Sequence, residues 1–109
     1  LNKLLQSSID ESKVIHTYGA TAKGNTLLNY LGITNKTIPY CIDSTSIKQG
    51  KFLPGSKIEI VNEDFVKKNP PDYYLLTAWN YKDEIINKVR NMKNLKSSFI
   101  IPFPSIQII

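Results

Sequence analysis

A short glycine-containing stretch is the part of the sequence best suited to hold a ligand. Residues 17–26 read Thr-Tyr-Gly-Ala-Thr-Ala-Lys-Gly-Asn-Thr, and they join a β-branched segment to a leucine-rich one. This order predicts a strand, a tight turn and a helix. The first turn of a helix presents backbone N–H groups and the positive end of the helix dipole. The chemistry favoured at this turn is therefore the binding of a phosphate group.

The turn can be compared with the P-loop of nucleoside triphosphatases. Gly19 and Gly24 have the P-loop separation, but Asn25 stands where that motif requires Lys. An acidic metal ligand at a strand end is not evident either, so the sequence argues against NTP hydrolysis. A purely structural role is also open, in which Gly19 permits a positive φ and Gly24 allows the helix to pack closely on the sheet.

The same turn partly matches the dinucleotide-binding fingerprint. Gly19 and Ala22 fit its second and third small positions, whereas Thr17 replaces the first Gly. Asp43 ends the next predicted strand about 20 residues later, where such folds place a ribose-binding acid. Asp43 is therefore the candidate for binding a ribose or another part of a nucleotide.

Four further residues are candidates for the same site. Trp79 and Asn80 follow a predicted buried strand at its carboxyl end, which is the edge where open α/β sheets bind ligands. Lys48 and Gln49 lie on a predicted exposed loop that could close over an anion. Simpler roles are open for each pair: Asn80 could cap the next helix, and the loop side chains could be solvated surface.

The composition argues against a metal site. The chain has one Cys, Cys41, and one His, His16, too few for a zinc ligand set or an internal disulfide. Both lie in predicted strands, where we expect an inert, apolar thiol and a packed or edge imidazole rather than a catalytic base. A single Cys is also typical of a protein in the reducing cytoplasm.

Charge and length limit the class of partner. The 109 residues carry a net charge of +5, which is compatible with an anionic ligand. The lysines are scattered among acidic residues rather than gathered in a nucleic-acid-binding stripe, and the apolar runs are too short to span a membrane. We therefore expect neither nucleic acid nor a membrane as partner. Because the only Met is Met92 and the chain begins at Leu1, we expect a piece of a longer protein.

Strand and helix patterns alternate along the chain. A leucine stripe predicts a helix over residues 1–12, which we interpret as a linker from an upstream domain, and residues 13–109 then form one domain. Strands are predicted over 13–17, 40–42, 57–61, 73–77, 98–101 and 106–109. Helices are predicted from the glycine turn to Gly32, over 63–69 and after Asn80, and a polar loop over 44–55. The buried face of the last helix is predicted to consist of Tyr81, Ile85, Val89 and Met92. This alternation predicts an α/β fold with three layers and a mainly parallel sheet.

Blocks of residues spread over the chain resemble a known family. They are Gly19–Tyr30, Asp43, Lys48–Gly50, Leu53–Gly55, Pro71–Tyr73, Ala78–Asn80, Lys82–Ile85 and Ile101–Pro104. In this order they resemble the C-terminal domain of S-adenosylmethionine-dependent C-methyltransferases that act on nucleotide-linked deoxysugars. The resemblance covers essentially the whole chain from Lys13 onward, although Thr17 stands where the family often has Gly.

The resemblance implies a Rossmann-like domain that follows a zinc-binding N-terminal domain and a central domain holding S-adenosylmethionine and the catalytic residues. This domain would help to bind the nucleotide-sugar diphosphate and would contain no catalytic residue, metal or cofactor of its own. Its partner would be the upstream catalytic domain of the same chain. The substrate-binding residues that the resemblance implies are Gly19, Lys23, Gly24, Asn25, Lys48, Gln49, Trp79 and Asn80.

Two other classes of function stay open at this point. A stand-alone dinucleotide- or CoA-binding regulatory module would use Asp43 to bind a ribose hydroxyl. A structural interaction domain would instead dock on another domain through its first helix.

Overall fold

A computed structural model of the chain describes residues 1–92 and 97–109. Within these residues the α-helices are α1 Asn2–Asp10, α2 Ala22–Tyr30, α3 Glu63–Lys68 and α4 Lys82–Asn91, with short 3₁₀ turns at Ser46–Lys48 and Trp79–Tyr81. The strands are β1 Ile15–Tyr18, β2 Tyr40–Ile42, β3 Glu59–Val61, β4 Tyr73–Leu76, β5 Ser98–Ile101 and β6 Gln107–Ile108.

The described strands form one sheet in the order β3-β2-β1-β4-β5-β6. All neighbouring pairs are parallel except the last, in which β6 runs antiparallel to β5. This is the strand order of doubly wound, dinucleotide-binding folds, and its direction of winding reverses between β1 and β4. The predicted α/β fold, with a Rossmann-like, mainly parallel sheet, is confirmed.

The sheet is covered on both faces, which gives the three predicted layers. One core cluster joins it to α1 and α2 through Leu5 and Leu28, and a second joins it to α3 and α4. Successive residues of β4 belong to opposite clusters, Leu75 to the first and Leu76 to the second. This alternation is expected of a central strand with helices on both sides, and it explains the continuous apolar sequence of β4.

Three local predictions were wrong. Asn80 does not cap α4, because residues 79–81 form a 3₁₀ turn and the helix begins at Lys82 without a side-chain cap. Tyr81 was predicted to lie on the buried face of α4 but is 58% exposed. Ile86, which was not predicted there, is buried in the core instead. The loop over 44–55 is not entirely polar surface, since Leu53 is buried in the first cluster.

The first helix packs on the domain that follows it. Leu5 on α1 is only 2% exposed, so this helix contributes to the core cluster it shares with α2. That residues 1–12 also link the domain to an upstream one stays a prediction. In the described part of the chain, none of the helices has the length and apolarity needed to cross a membrane.

Candidate functional site

The main cleft lies where the winding of the sheet reverses, beyond the carboxyl ends of β1, β2 and β4. It has a volume of about 370 Å³. Its lining residues are Tyr18, Gly19, Thr21, Asp43, Ser44, Thr45, Ala78, Tyr81, Glu84, Ile85 and Lys88. The position of this cleft agrees with the general rule that open α/β sheets bind ligands at the point where the direction of winding reverses.

The glycine turn has the geometry that its two glycines were predicted to permit. Gly19 has a φ of +102°, and a Cβ there would lie 2.4 Å from the Cβ of Ala78. Gly24 packs on β4, because its Cβ would lie 2.5 Å from the Cβ of Thr77. Both positions therefore need glycine for structural reasons, whatever else they do.

Two threonines that were not singled out from the sequence hold this turn in place. The Thr21 hydroxyl caps α2 by accepting a hydrogen bond from the N–H of Gly24 at 3.1 Å, and it donates to the Thr77 carbonyl at 3.2 Å. The Thr77 hydroxyl in turn donates to the Gly19 carbonyl at 2.6 Å. Thr21 carried a detectable signal as a Thr just before a helix, whereas Thr77 is brought to the turn only by the tertiary fold.

Asp43 also supports the turn. Its Oδ2 accepts a hydrogen bond from the N–H of Ala20, and its Oδ1 accepts one from the N–H of Thr45, both at 2.8 Å. Burial alone would raise the pKa of this carboxyl, but the two backbone donors, the Thr45 hydroxyl and the Lys48 ammonium outweigh burial and hold the pKa below its usual value. The ionised carboxylate lines the main cleft while connecting the glycine turn to the loop after β2.

Lys48 and Gln49 are engaged by the protein itself. The Lys48 ammonium donates to the Ala20 carbonyl at 2.8 Å, and the Gln49 amide donates to the Asp43 carbonyl at 3.0 Å. Gln49 lines a neighbouring depression of about 340 Å³, and neither residue lines the main cleft. In this conformation Lys48 fastens the loop after β2 to the glycine turn, and Gln49 fastens that loop back to the end of β2.

A smaller depression of about 140 Å³ adjoins the main cleft, and Lys23, Trp79 and Asn80 line it. Thr21, Ala78 and Tyr81 line both cavities, so the two form adjacent parts of one site. The structure therefore brings five of the nine candidates to this edge of the sheet as cavity-lining residues. These are Gly19, Lys23, Asp43, Trp79 and Asn80.

The two remaining candidates lie in the first turn of α2 and line neither cavity. Gly24 is buried against β4. Asn25 is half-buried, and its Oδ1 has no hydrogen-bond partner within residues 1–92 and 97–109.

An ionic group that was not predicted flanks the main cleft. Glu63, the first residue of α3, accepts a hydrogen bond from the Tyr18 hydroxyl at 2.8 Å and forms an ion pair with Lys88 at 3.0 Å. Burial, and then the hydrogen bond and charge of Glu63, raise the pKa of Tyr18, which stays protonated. Asp43 and Glu84 line this cavity, and its one lysine, Lys88, is already paired with Glu63. The cavity therefore offers hydrogen-bond acceptors and is less suited to a diphosphate than to hydroxyl groups.

His16 and Cys41 are buried in the central strands. Burial lowers the pKa of His16 to about 4 and raises that of Cys41 to about 11, so both side chains are neutral near pH 7. This agrees with the packed imidazole and inert thiol expected from the sequence. Among the residues that the structure describes, no group of three or more His, Cys, Asp and Glu is placed to hold a metal ion.

Comparison with known proteins adds two findings. A family model described as the C-methyltransferase C-terminal domain matches residues 1–104. A curated relative, the C-methyltransferase NovU of Streptomyces niveus, is 38% identical over all 109 residues. The chain spans 26% of the length of that relative.

Proposed function

Since the chain belongs to the C-methyltransferase C-terminal domain family, we propose that it is the substrate-binding domain of a longer, S-adenosylmethionine-dependent enzyme that methylates carbon on a nucleotide-linked deoxysugar. The domain binds the nucleotide-sugar diphosphate and is not catalytic alone. An upstream domain of the same protein supplies S-adenosylmethionine and the catalytic residues, and it is the partner of this domain in the cytoplasm.

The observation that carries this proposal is the pair of adjoining cavities beside a rigid glycine turn. The smaller cavity is lined by Ala22 and Lys23, the first two residues of α2. Backbone N–H groups at these positions have no acceptor within the helix, and the positive dipole end and the Lys23 ammonium favour an anion beside them. The diphosphate is therefore assigned to this end of the site.

The larger cavity suits the hydroxyl-bearing parts of the substrate. The Asp43 carboxylate has two oxygens and, beyond the two backbone bonds described above, lone pairs for further hydrogen bonds. Glu84 lines the same cavity. Carboxylates accept hydrogen bonds from ribose or sugar hydroxyls but repel a phosphate, which supports placing the diphosphate in the smaller cavity.

The side chains present do not fit the other groups that such an enzyme requires. Zinc needs deprotonated Cys or neutral His ligands in a cluster, whereas Cys41 has a raised pKa and both it and His16 are buried in strands. The Ala20 N–H, which could contact a cofactor in a dinucleotide-binding turn, is bonded to Asp43. We therefore assign zinc and S-adenosylmethionine to other domains of the longer protein.

Titration calorimetry with a thymidine-diphosphate sugar, NAD and CoA tests the proposal. We expect binding of the sugar nucleotide, and we expect Lys23→Ala to weaken it about 2- to 5-fold through the loss of an exposed charge pair. Lys13→Ala is the matched control, because Lys13 is also exposed but precedes β1 at the opposite edge of the sheet.

Each alternative predicts a different result in the same experiment. Tight binding of NAD or CoA without binding of the sugar nucleotide would support a dinucleotide- or CoA-binding regulatory module. Anion binding that is unchanged by both Lys23→Ala and Asn25→Ala would support a structural interaction domain.

A further inference from the structure

Two aromatic side chains lie next to each other at the ligand-binding edge of the sheet. Trp79 follows β4 and Phe103 follows β5, and these strands are parallel neighbours. Their loops therefore emerge side by side, and the two ring centroids are 5.6 Å apart with an angle of 38° between the planes. Phe103 is 57% exposed and Trp79 is half-buried, so aromatic surface faces the solvent at this edge.

The pair adjoins polar groups that complement its rings. Trp79 lines the smaller cavity together with Asn80 and Lys23. The Asn80 amide can both donate and accept hydrogen bonds, and the Lys23 ammonium can bind an anion. The methyl groups of Ala22 and Ala78 form part of the remaining wall. An aromatic surface, an amide and a cation within one small cavity together match a planar heterocycle attached to a phosphate.

The loop that carries Phe103 is held in place by its neighbours in sequence. Pro102 and Pro104 flank Phe103, and each proline restricts its own φ and the backbone of the residue before it. The backbone that carries the ring therefore loses little conformational freedom when a ligand covers the ring, which favours stacking.

We propose that Trp79 and Phe103 form the platform on which the nucleobase of the substrate stacks, with Asn80 at the hydrogen-bonding edge of the base and Lys23 at the diphosphate. This inference rests on the proposed function and adds to it the position of the base and a new binding residue, Phe103. Every nucleobase has a π-face, so the platform binds the base as a class, and the amide supplies any selectivity between bases.

The chain has a single Trp, so its intrinsic fluorescence reports directly on the platform. The experiment titrates the chain with thymidine diphosphate and with inorganic pyrophosphate, and follows Trp79 fluorescence and heat together. We expect thymidine diphosphate to quench Trp79 and to bind more tightly than pyrophosphate, which lacks a base. Equal affinity for the two ligands would overturn the platform.

Phe103→Leu keeps the apolar volume but removes the π-face, and Phe52→Leu is its matched control. Phe52 is 60% exposed, nearly the same as Phe103, and lies on the loop before β3. Because base stacking is worth about 1–3 kcal/mol, we expect Phe103→Leu to weaken the binding of thymidine diphosphate about 5- to 150-fold and to leave pyrophosphate affinity unchanged. Phe52→Leu should alter neither affinity.

The failure of the platform can be told apart from the failure of the proposed function. If thymidine diphosphate and the sugar nucleotide bind by calorimetry while Trp79 fluorescence is unchanged and Phe103→Leu behaves like the wild type, the platform is wrong and the proposed function stands. If neither ligand binds, both proposals are wrong. Thermal unfolding of the two Phe variants, which should give equal midpoints, checks that Phe103→Leu acts on binding and not on folding.

Discussion

Replacing Asp43 with Asn should destabilise the domain by removing a support of the glycine turn. The carboxylate accepts two backbone hydrogen bonds, both at 2.8 Å, from Ala20 and Thr45. Asn has one acceptor oxygen and one NH₂ group, so the N–H of either Ala20 or Thr45 would face another donor. Residue 43 is only 8% exposed, so water cannot readily replace the lost bond. Because a hydrogen bond to a charged group contributes about 1.5–3 kcal/mol, we expect a loss of about 2 kcal/mol in the free energy of unfolding at pH 7.

The pH dependence of this loss provides a second, independent test. The folded-state pKa of Asp43 lies below the usual value of 3.8, so the folded protein binds this proton less readily than the unfolded chain does. The carboxylate therefore contributes its full stability above pH 3.8 and loses it as the pH falls from 3.8 through the lower folded-state pKa. Asn does not titrate, so the difference in stability between the wild type and Asp43→Asn should shrink at pH 3.

Urea unfolding of the wild type and Asp43→Asn at pH 7, 5 and 3 measures both the loss in the free energy of unfolding and its dependence on pH. A loss of about 2 kcal/mol corresponds to a thermal midpoint lower by roughly 8–16 °C in a domain of this size. Asp64→Asn is the control, because its side chain is 79% exposed in an ion pair with Lys67 and should cost less than about 0.5 kcal/mol. A difference for Asp43→Asn that is the same at pH 7 and pH 3, or no larger than that of the control, would refute the role of the ionised carboxylate.

Three further predictions follow from buried groups. Gly24→Ala should destabilise the domain by about 1–3 kcal/mol in urea unfolding, because its Cβ would lie 2.5 Å from that of Thr77; a gain in stability would show that α2 can shift away from the sheet. His16→Phe should weaken the dependence of stability on pH between 6.5 and 4. Because the pKa of His16 is lowered to about 4, the free energy of unfolding of the wild type falls by roughly 2–3 kcal/mol as the pH drops through that interval. Parallel pH profiles of stability for the two proteins would contradict this. Cys41, fully buried with a pKa raised to about 11, should react with a thiol reagent at pH 8 only after unfolding, and rapid labelling of the folded protein would contradict its burial.

The fold was predictable because its main signals are local. β4 and β5 are apolar stretches, the glycine turn separates a strand from a helix, and the alternation of elements requires crossover connections. The errors lie where tertiary structure decides between two local options. Asn80 is a good capping residue, but residues 79–81 form a 3₁₀ turn before the helix begins, and this turn leaves Tyr81 exposed instead of buried.

The candidate site was predictable to the level of its position. The edge of the sheet and the candidates Trp79 and Asn80 followed from the order of the elements, whereas Lys23 followed from the family resemblance. The partners of Asp43 and Lys48 did not, because both contact Ala20 through bonds that join residues 23 and 28 positions apart. Sequence spacing does not reveal whether a charged side chain on a loop faces a ligand or a backbone group of the same protein.

The network around Thr77 has a consequence for the speed of ligand binding. Through Thr77 the end of β4 is bonded to Gly19 and Thr21 and packs against Gly24, so the turn and the strand behave as one rigid body. A surface of this kind needs no ordering step before a ligand binds. Association at the turn should therefore occur in a single concentration-dependent phase near the usual rates for preformed sites. In the longer protein proposed above, a slower phase would then report the movement of the upstream domain over this edge.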